Sequence, residues 1–211
     1  MANPKPTVYI VDDDASARRG LARLIRASGM VAETFPSAEA FLAGDRHDGP
    51  ACIVLDVRMP GSSGPALQEQ LIEAAEGLPI VFLSAHGDVP TTARAMKKGA
   101  VDFLTKPVDR EELLGAVHTA LRQAEEALGT RAELAAIHGR LKTLTPRERE
   151  IMTYVIGGLL NKQIAFELGI AEDTVKIHRK RVMTKMEAGS VADLVRLTQK
   201  AGVEPASGSD H

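Results

Sequence analysis

Three short stretches of this chain are almost uninterrupted runs of apolar residues: TVYIVD at 7–12, ACIVLDV at 51–57 and PIVFLSA at 79–85. Each carries an acidic or hydroxyl side chain at or near its C-terminal end. Runs this short and this continuous fit strands covered on both faces, whereas a strand with one wet face would alternate. MVAETF at 30–35 and VDFLTK at 101–106 read as two further strands. Between them lie amphipathic helical stretches at 15–28, 37–43, 64–76 and 89–98, and a fifth helix opens at Asp109. Five strands alternating with five helices predict an α/β doubly wound (βα)5 parallel sheet.

Beyond about residue 125 the strand pattern disappears. LTPREREIMTYVIGGL begins with Thr145 as an N-cap and Pro146 at the first helical position, and Glu148 completes a capping box. Gly157 and Gly158 end that helix. NKQIAFELG is a second short helix, with Asn161 as its cap and Gly169 as its stop. AEDTVKIHRKRVMTKM is a third, and SVADLVRLTQKAG, starting from Ser190, a fourth. The tail from residue 204 to 211 and the first five residues carry the composition of disordered ends.

Between the two halves, Leu114, Val117, Leu121, Ala124 and Leu128 follow a 3-4-3-4 spacing, which Leu134, Ile137, Leu141 and Leu144 resume after a six-residue step. Two readings stand. One is a long linker helix that pairs two chains as a coiled coil. The other is a fifth helix packed on its own sheet, followed by a separate helix capped at Thr130. The predicted domains are residues 5–125, a linker helix at 126–140, a helical domain at 141–203 and a disordered tail.

The near-neutral total charge of −2 hides an asymmetry. Residues 1–125 contain 13 Lys and Arg against 17 Asp and Glu, while residues 140–203 contain 12 against 7. An acidic half joined to a basic half predicts different partners, with a polyanion a candidate for the second. Aromatics make up 3% of the chain with no Trp, which argues against stacking of unpaired bases. A lone cysteine, Cys52, excludes an internal disulfide and a cysteine-based metal site, and the six histidines show no metal-ligand spacing. No stretch has the length and apolarity of a signal peptide or membrane span, so a soluble, cytoplasmic protein is expected.

The strand ends carry the chemistry. Ligands of an open parallel sheet bind beyond the carboxyl ends of the strands. Asp12 and Asp13 close the first strand, Asp56 the third, Ser84 the fourth and Lys106 the fifth. Asp12, Asp13 and Asp14 are adjacent, and two carboxylates about 4 Å apart repel by roughly 4 kcal/mol at an effective dielectric near 20. Asp14 has a simpler use as a cap for the following helix. The others need countercharge. Lys106 supplies one unit and a hard divalent cation, magnesium, would supply two. A near-neutral cluster of this kind can accept a phosphoryl group on a carboxylate, giving an acyl phosphate.

VDDD at 11–14, VLDVRMPG at 54–61, LSAHGD at 83–88 and AVDFLTKP at 100–107 together resemble the receiver domain of bacterial response regulators. The resemblance implies that Asp56 is the phosphoacceptor and that Asp12, Asp13, Asp56 and the backbone carbonyl of Arg58 bind Mg2+. It further implies that Ser84 and Lys106 contact the phosphoryl group, that Phe103 is the rotating aromatic of the switch, and that Lys106–Pro107 is cis. His86 and Arg58 would flank the phosphoryl group and tune its hydrolysis. A magnesium phosphatase with an aspartyl nucleophile would want an acid two residues after Asp56. Arg58 stands there instead, so an enzyme acting on external esters is not expected.

NKQIAFELGIAEDTVKIHRKRVMTKM reads as a helix-turn-helix. Lys176, Arg179, Lys180 and Lys185 are predicted to project outward, while Val175, Val182 and Met186 line the inner face. Such a helix suits the major groove of double-stranded DNA. With LTPREREI, these segments resemble the LuxR-type DNA-binding domain, and the whole chain is similar to the NarL/FixJ class of response regulators. The likeness implies base contacts from Lys176, Ile177 and Lys180, and phosphate contacts from Thr174, Arg179, Arg181 and Lys162. Ala171 stands where that family often has a capping Ser, leaving Asp173 as the alternative cap.

The expectation is a two-component transcriptional regulator. Its partners would be a sensor histidine kinase, DNA and RNA polymerase, with homodimerisation on phosphorylation through the face around Lys97 and Asp102. The rival expectation is a receiver-based adaptor whose basic domain docks protein.

Overall fold

The computed structural model describes residues 5–45, 47–61, 63–74, 77–85 and 89–206. The chain divides into two compact units, residues 1–129 and 130–211.

The first unit is built on five parallel strands, β1 (Thr7–Val11), β2 (Val31–Phe35), β3 (Ala51–Asp56), β4 (Ile80–Ser84) and β5 (Asp102–Thr105). Their order across the sheet is β2-β1-β3-β4-β5. The helices that alternate with them are α1 (Ala15–Ala27), α2 (Ala38–Leu42), α3 (Gly64–Glu73) and α4 (Val89–Lys97), followed by α5 (Arg110–Lys142).

Side chains alternate across the strands, so the sheet feeds two cores. On one face Val8, Ile10, Cys52, Val54, Val81 and Leu83 meet Leu21 and Ile25 of α1 and Leu113, Val117 and Leu121 of α5. On the other, Tyr9, Val11, Ile53, Leu55 and Phe82 meet Phe41 of α2, Leu67 and Leu71 of α3 and Ala95 of α4. Burial on both faces is the physical reason the central strands are apolar throughout. It also pushes the Cys52 thiol up to about 12, far from a reactive thiolate.

The order β2-β1-β3 means that the chain turns to one side after β1 and to the other after β2. A crevice opens where the winding reverses, at the carboxyl ends of β1 and β3.

No break separates a linker helix, since residues 126–140 lie inside α5. Thr130, the cap of the alternative reading, is an interior residue of the same helix. Each segment of the apolar stripe is used within its own unit: Val117 and Leu121 pack on the sheet, and Ile137 and Leu141 enter the core of the second unit.

The second unit comprises the end of α5 with α6 (Pro146–Ile156), α7 (Asn161–Leu168), α8 (Glu172–Met186) and α9 (Val191–Lys200). Thr145 caps α6 through the Glu148 amide at 3.2 Å, and the Glu148 carboxylate accepts from the Thr145 amide at 2.9 Å. Gly169 ends α7 at φ +63°, a left-handed conformation that costs glycine little. The α7 cap differs from expectation. Leu160 occupies that position, its amide held by Gln163 Oε1 at 2.7 Å, and Asn161 is already helical. Neither Ala171 nor Asp173 caps α8 through a side chain: Ala171 has no suitable group, and the Asp173 carboxylate faces Lys176. The Ala206 amide donates to the Thr153 carbonyl at 3.0 Å, so the tail predicted to be disordered is tethered to α6 as far as that residue. Residues 207–211 lie outside the described residues.

Candidate functional site

The crevice between the ends of β1 and β3 gathers side chains from three separate strands. Asp12 follows Val11, Asp56 ends β3, and Lys106 follows β5. Main-chain bonds align these ends: the Asp12 amide donates to Phe35 O at 3.2 Å, Val57 to Leu83 O at 2.9 Å and Lys106 to Ser84 O at 2.7 Å. Within this frame the Lys106 ammonium donates to Asp12 Oδ2 at 2.6 Å and to Asp56 Oδ1 at 2.5 Å. The second oxygens are also engaged. Asp12 Oδ1 accepts the Asp14 amide at 2.8 Å, and Asp56 Oδ2 accepts the Arg58 amide at 2.9 Å.

Asp12 and Asp56 are almost completely buried, and Lys106 is partly so. Burial pushes the Asp56 carboxyl above its ordinary range, and the neighbouring Asp12 charge adds to this, against the opposing pull of Lys106. Burial also works against the charge on Lys106. Its hydrogen bonds to Asp12 and Asp56 outweigh that and hold the ammonium above its usual value. Two buried acids sharing one ammonium leave the pocket with an excess of negative charge.

The remaining predicted residues fall around this centre. Asp13 is exposed beside it. Asp14 points away and caps α1, accepting the amides of Ser16 and Ala17 at 2.6 and 3.2 Å. Ser84 is buried at the end of β4. Phe103 is half-buried on β5, its ring 6.0 Å from that of Phe82. The Lys106–Pro107 bond is cis. His86 lies outside the described residues, and the Arg58 side chain is exposed.

Two contributors were not foreseen. Arg18 of α1 donates to the Asp12 carbonyl and ties the helix to the strand end. Gly64 opens α3 against β3: a Cβ there would stand 2.4 Å from the Asp56 carbonyl oxygen. The only sequence trace of the second is a glycine eight residues after the acid.

In the second unit, α7, the Gly169 turn and α8 form the helix-turn-helix. Val175, Val182 and Met186 of α8 are fully buried. Lys162, Lys176, Lys180 and Arg181 are exposed, Ile177 is 55% exposed, and Thr174 and Arg179 are half-buried. Lys176 is paired along its own helix with Asp173 at 3.0 Å and Glu172 at 3.4 Å. Arg179 is held by Asn161 Oδ1 at 2.9 Å, a bond that joins α8 to the start of α7. Lys185 departs from expectation. It turns inward to the buried Glu148 carboxylate at 2.6 Å and to Thr143 O at 3.0 Å, and does not belong to the exposed basic face.

Residues 8–118 match the receiver-domain family described as "Response regulator receiver domain", and residues 142–198 match "Bacterial regulatory proteins, luxR family". The chain belongs to the response regulators. This response regulator is 42% identical over 199 residues to Transcriptional regulatory protein FixJ of Bradyrhizobium diazoefficiens, covering 94% of this chain and 97% of FixJ. It is 42% identical over 200 residues to Response regulator protein TodT of Pseudomonas putida, covering 95% and 88% of the two chains. Its fold matches the low-resolution structure of the response regulator StyR with a TM-score of 0.85 and 48% identity, over 93% of this chain and 99% of the other.

A receiver joined to a LuxR-type domain makes this response regulator a DNA-binding transcriptional regulator, and the adaptor reading finds no support. Receiver domains of response regulators generally use Mg2+ at the phosphorylation site. Among the described residues no helix is long and apolar enough to cross a membrane.

Proposed function

We propose that Asp56 accepts a phosphoryl group from a sensor histidine kinase and that this controls DNA binding by α8. The observation that carries the reading is the Lys106 ammonium bridging the buried Asp12 and Asp56 carboxylates at the switch point of the sheet. A carboxylate oxygen of Asp56 attacks phosphorus, the donor's N–P bond breaks, and the imidazole leaves with its electron pair. Lys106 stays in reach of the transferred oxygens and balances their charge. Ser84, beside Asp56 at the end of β4, supplies a hydroxyl to the attached group.

The donor set suits magnesium in kind, being all hard oxygen and carrying excess negative charge. As the side chains sit, no three acidic, His or Cys groups converge among the described residues. An ion that keeps most of its water shell needs only a few protein oxygens, and Asp12, Asp13, Asp56 and the Arg58 carbonyl are the ones that would hold it. Bound there, it would offset charge on the transferring phosphoryl oxygens.

Ser84 and Phe103 lie on adjacent strands, so engagement of Ser84 by the phosphoryl group changes the space available to the Phe103 ring. A two-state shift at β5 and its neighbours would follow, favouring a homodimer through the face around Lys97 and Asp102. Two copies of α8 would then reach adjacent half-sites, with Lys176, Ile177 and Lys180 at bases and Lys162, Thr174, Arg179 and Arg181 at phosphates. RNA polymerase would be the downstream partner.

The deciding experiment is phosphorylation of the full chain with a small acyl phosphate and Mg2+. Label on the wild type and none on Asp56→Asn is expected. Persistent labelling of Asp56→Asn would sink the assignment.

A further inference from the structure

The α1 segment holds four arginines, no lysine and no acidic residue. Arg18, Arg19, Arg23 and Arg26 line a cleft of about 480 Å³ between α1 and the edge strand β2, together with Ala22 and Thr34. Helix stability does not account for this set. Arg19, Arg23 and Arg26 stand at i, i+4 and i+7, where like charges share a face and weaken a helix. Among the described residues no carboxylate forms an ion pair with any of the four. The nearest acid in sequence, Asp14, caps the helix and feels the Arg18 charge without forming an ion pair with it. Nor is the patch part of a generally basic surface, since residues 1–125 carry 13 Lys and Arg against 17 Asp and Glu.

The cleft is partly organised in advance. Arg18 donates to the Asp12 carbonyl, and Arg26 Nη2 donates to the Ala32 carbonyl at 2.7 Å, so two guanidiniums are anchored. Arg19 and Arg23 are exposed and make no hydrogen bond among the described residues. Small side chains between them, Ala22 on the helix and Thr34 on the strand, leave the hollow open. Guanidinium forks match phosphoryl oxygens in pairs, and a cleft of this volume is in the range of small-molecule sites.

We propose that this cleft binds a small anion carrying two linked phosphoryl groups, seated between the anchored pair and the free pair. A single phosphate would leave most of the four charges unmatched. Arg18 borders both this cleft and the phosphoacceptor crevice through its bond to the Asp12 carbonyl, but Asp12, Asp56 and Lys106 do not line the cleft.

Isothermal titration of the full chain, with EDTA to remove divalent cations, tests this using inorganic pyrophosphate and orthophosphate as probes. Saturable pyrophosphate binding at least tenfold tighter than orthophosphate is expected. It should weaken at least tenfold in Arg19→Ala/Arg23→Ala and persist in Lys176→Ala/Lys180→Ala, which removes cations of the DNA-binding unit. Backbone amide NMR on the wild type supplies an independent readout, with pyrophosphate shifting Ala22 and Thr34. Absence of saturable binding, equal affinity for the two anions, retention in the arginine variant, loss in the lysine variant, or unmoved Ala22 and Thr34 amides would each overturn the proposal.

Discussion

The ammonium of Lys185 lies 2.6 Å from the carboxylate of Glu148, an acid with only 2% of its surface exposed. The pair ties the last turn of α8 to the capping box of α6. Glu148 therefore serves two elements: it accepts the Thr145 amide at one and a lysine of α8 at the other.

Lys185→Met keeps the aliphatic stem and removes the charge, leaving Glu148 buried against a single amide. The second unit should lose about 1–3 kcal/mol, toward the lower end because Lys185 is partly exposed and water reaches the pair. Urea unfolding of the variant measures this. DNA affinity at a temperature where both proteins are folded should change little.

The same pair predicts an acid sensitivity. Lys185 first, and then the Thr145 amide, hold the Glu148 carboxyl below its ordinary value of 4.5. A depressed native value stabilises the fold above the unfolded-state range, and that contribution is lost as pH falls through the native value. Thermal melts of the second unit's transition should therefore drop below about pH 4.5, and Glu148→Gln should flatten that part of the curve.

Gly64→Ala would drive a methyl to 2.4 Å from the Asp56 carbonyl oxygen and 3.1 Å from the Phe82 ring. Neither the strand end nor a buried ring can yield freely. The expected cost is about 1–3 kcal/mol in receiver stability, together with slower phosphorylation because the displaced backbone carries the acceptor. Labelling kinetics beside a denaturation curve separate the two effects.

On DNA, Lys176→Ala should cost about 1–3 kcal/mol at its cognate base pair and relax the preference there. Arg181→Ala should weaken binding evenly across sequences and reduce the salt dependence by about one unit of slope. Binding to a panel of single-base variants at two salt concentrations tells these apart. A uniform loss in Lys176→Ala would show that this lysine contacts phosphate.

What was legible in the sequence is what local pattern encodes. All five strands lie within about a residue of their predicted bounds. Continuous apolar runs marked β1, β3 and β4, where burial on both faces leaves no room for alternation, while the half-buried β2 and β5 showed as mixed runs. Asp12, Asp56, Ser84 and Lys106 could be placed together from topology alone, since parallel strands deliver their carboxyl ends to one edge. The Thr145–Glu148 box was readable because both partners lie within one turn. Tertiary structure decided where long side chains go. Lys185 sits on a helix whose neighbours are basic and exposed, yet its partner is 37 residues away, and no local spacing distinguishes it from Lys180. Arg179 meets Asn161 across 18 residues, which turned a predicted cap into a helix-to-helix bond. The continuity of α5 through Gly129 was likewise undecided, because a glycine lowers helix propensity by only about 1 kcal/mol and the apolar residues on either side are each buried in a unit of their own. A chain's periodicity states which face is buried. Which partner a charged or half-exposed side chain finds there depends on groups that only the folded chain brings within reach.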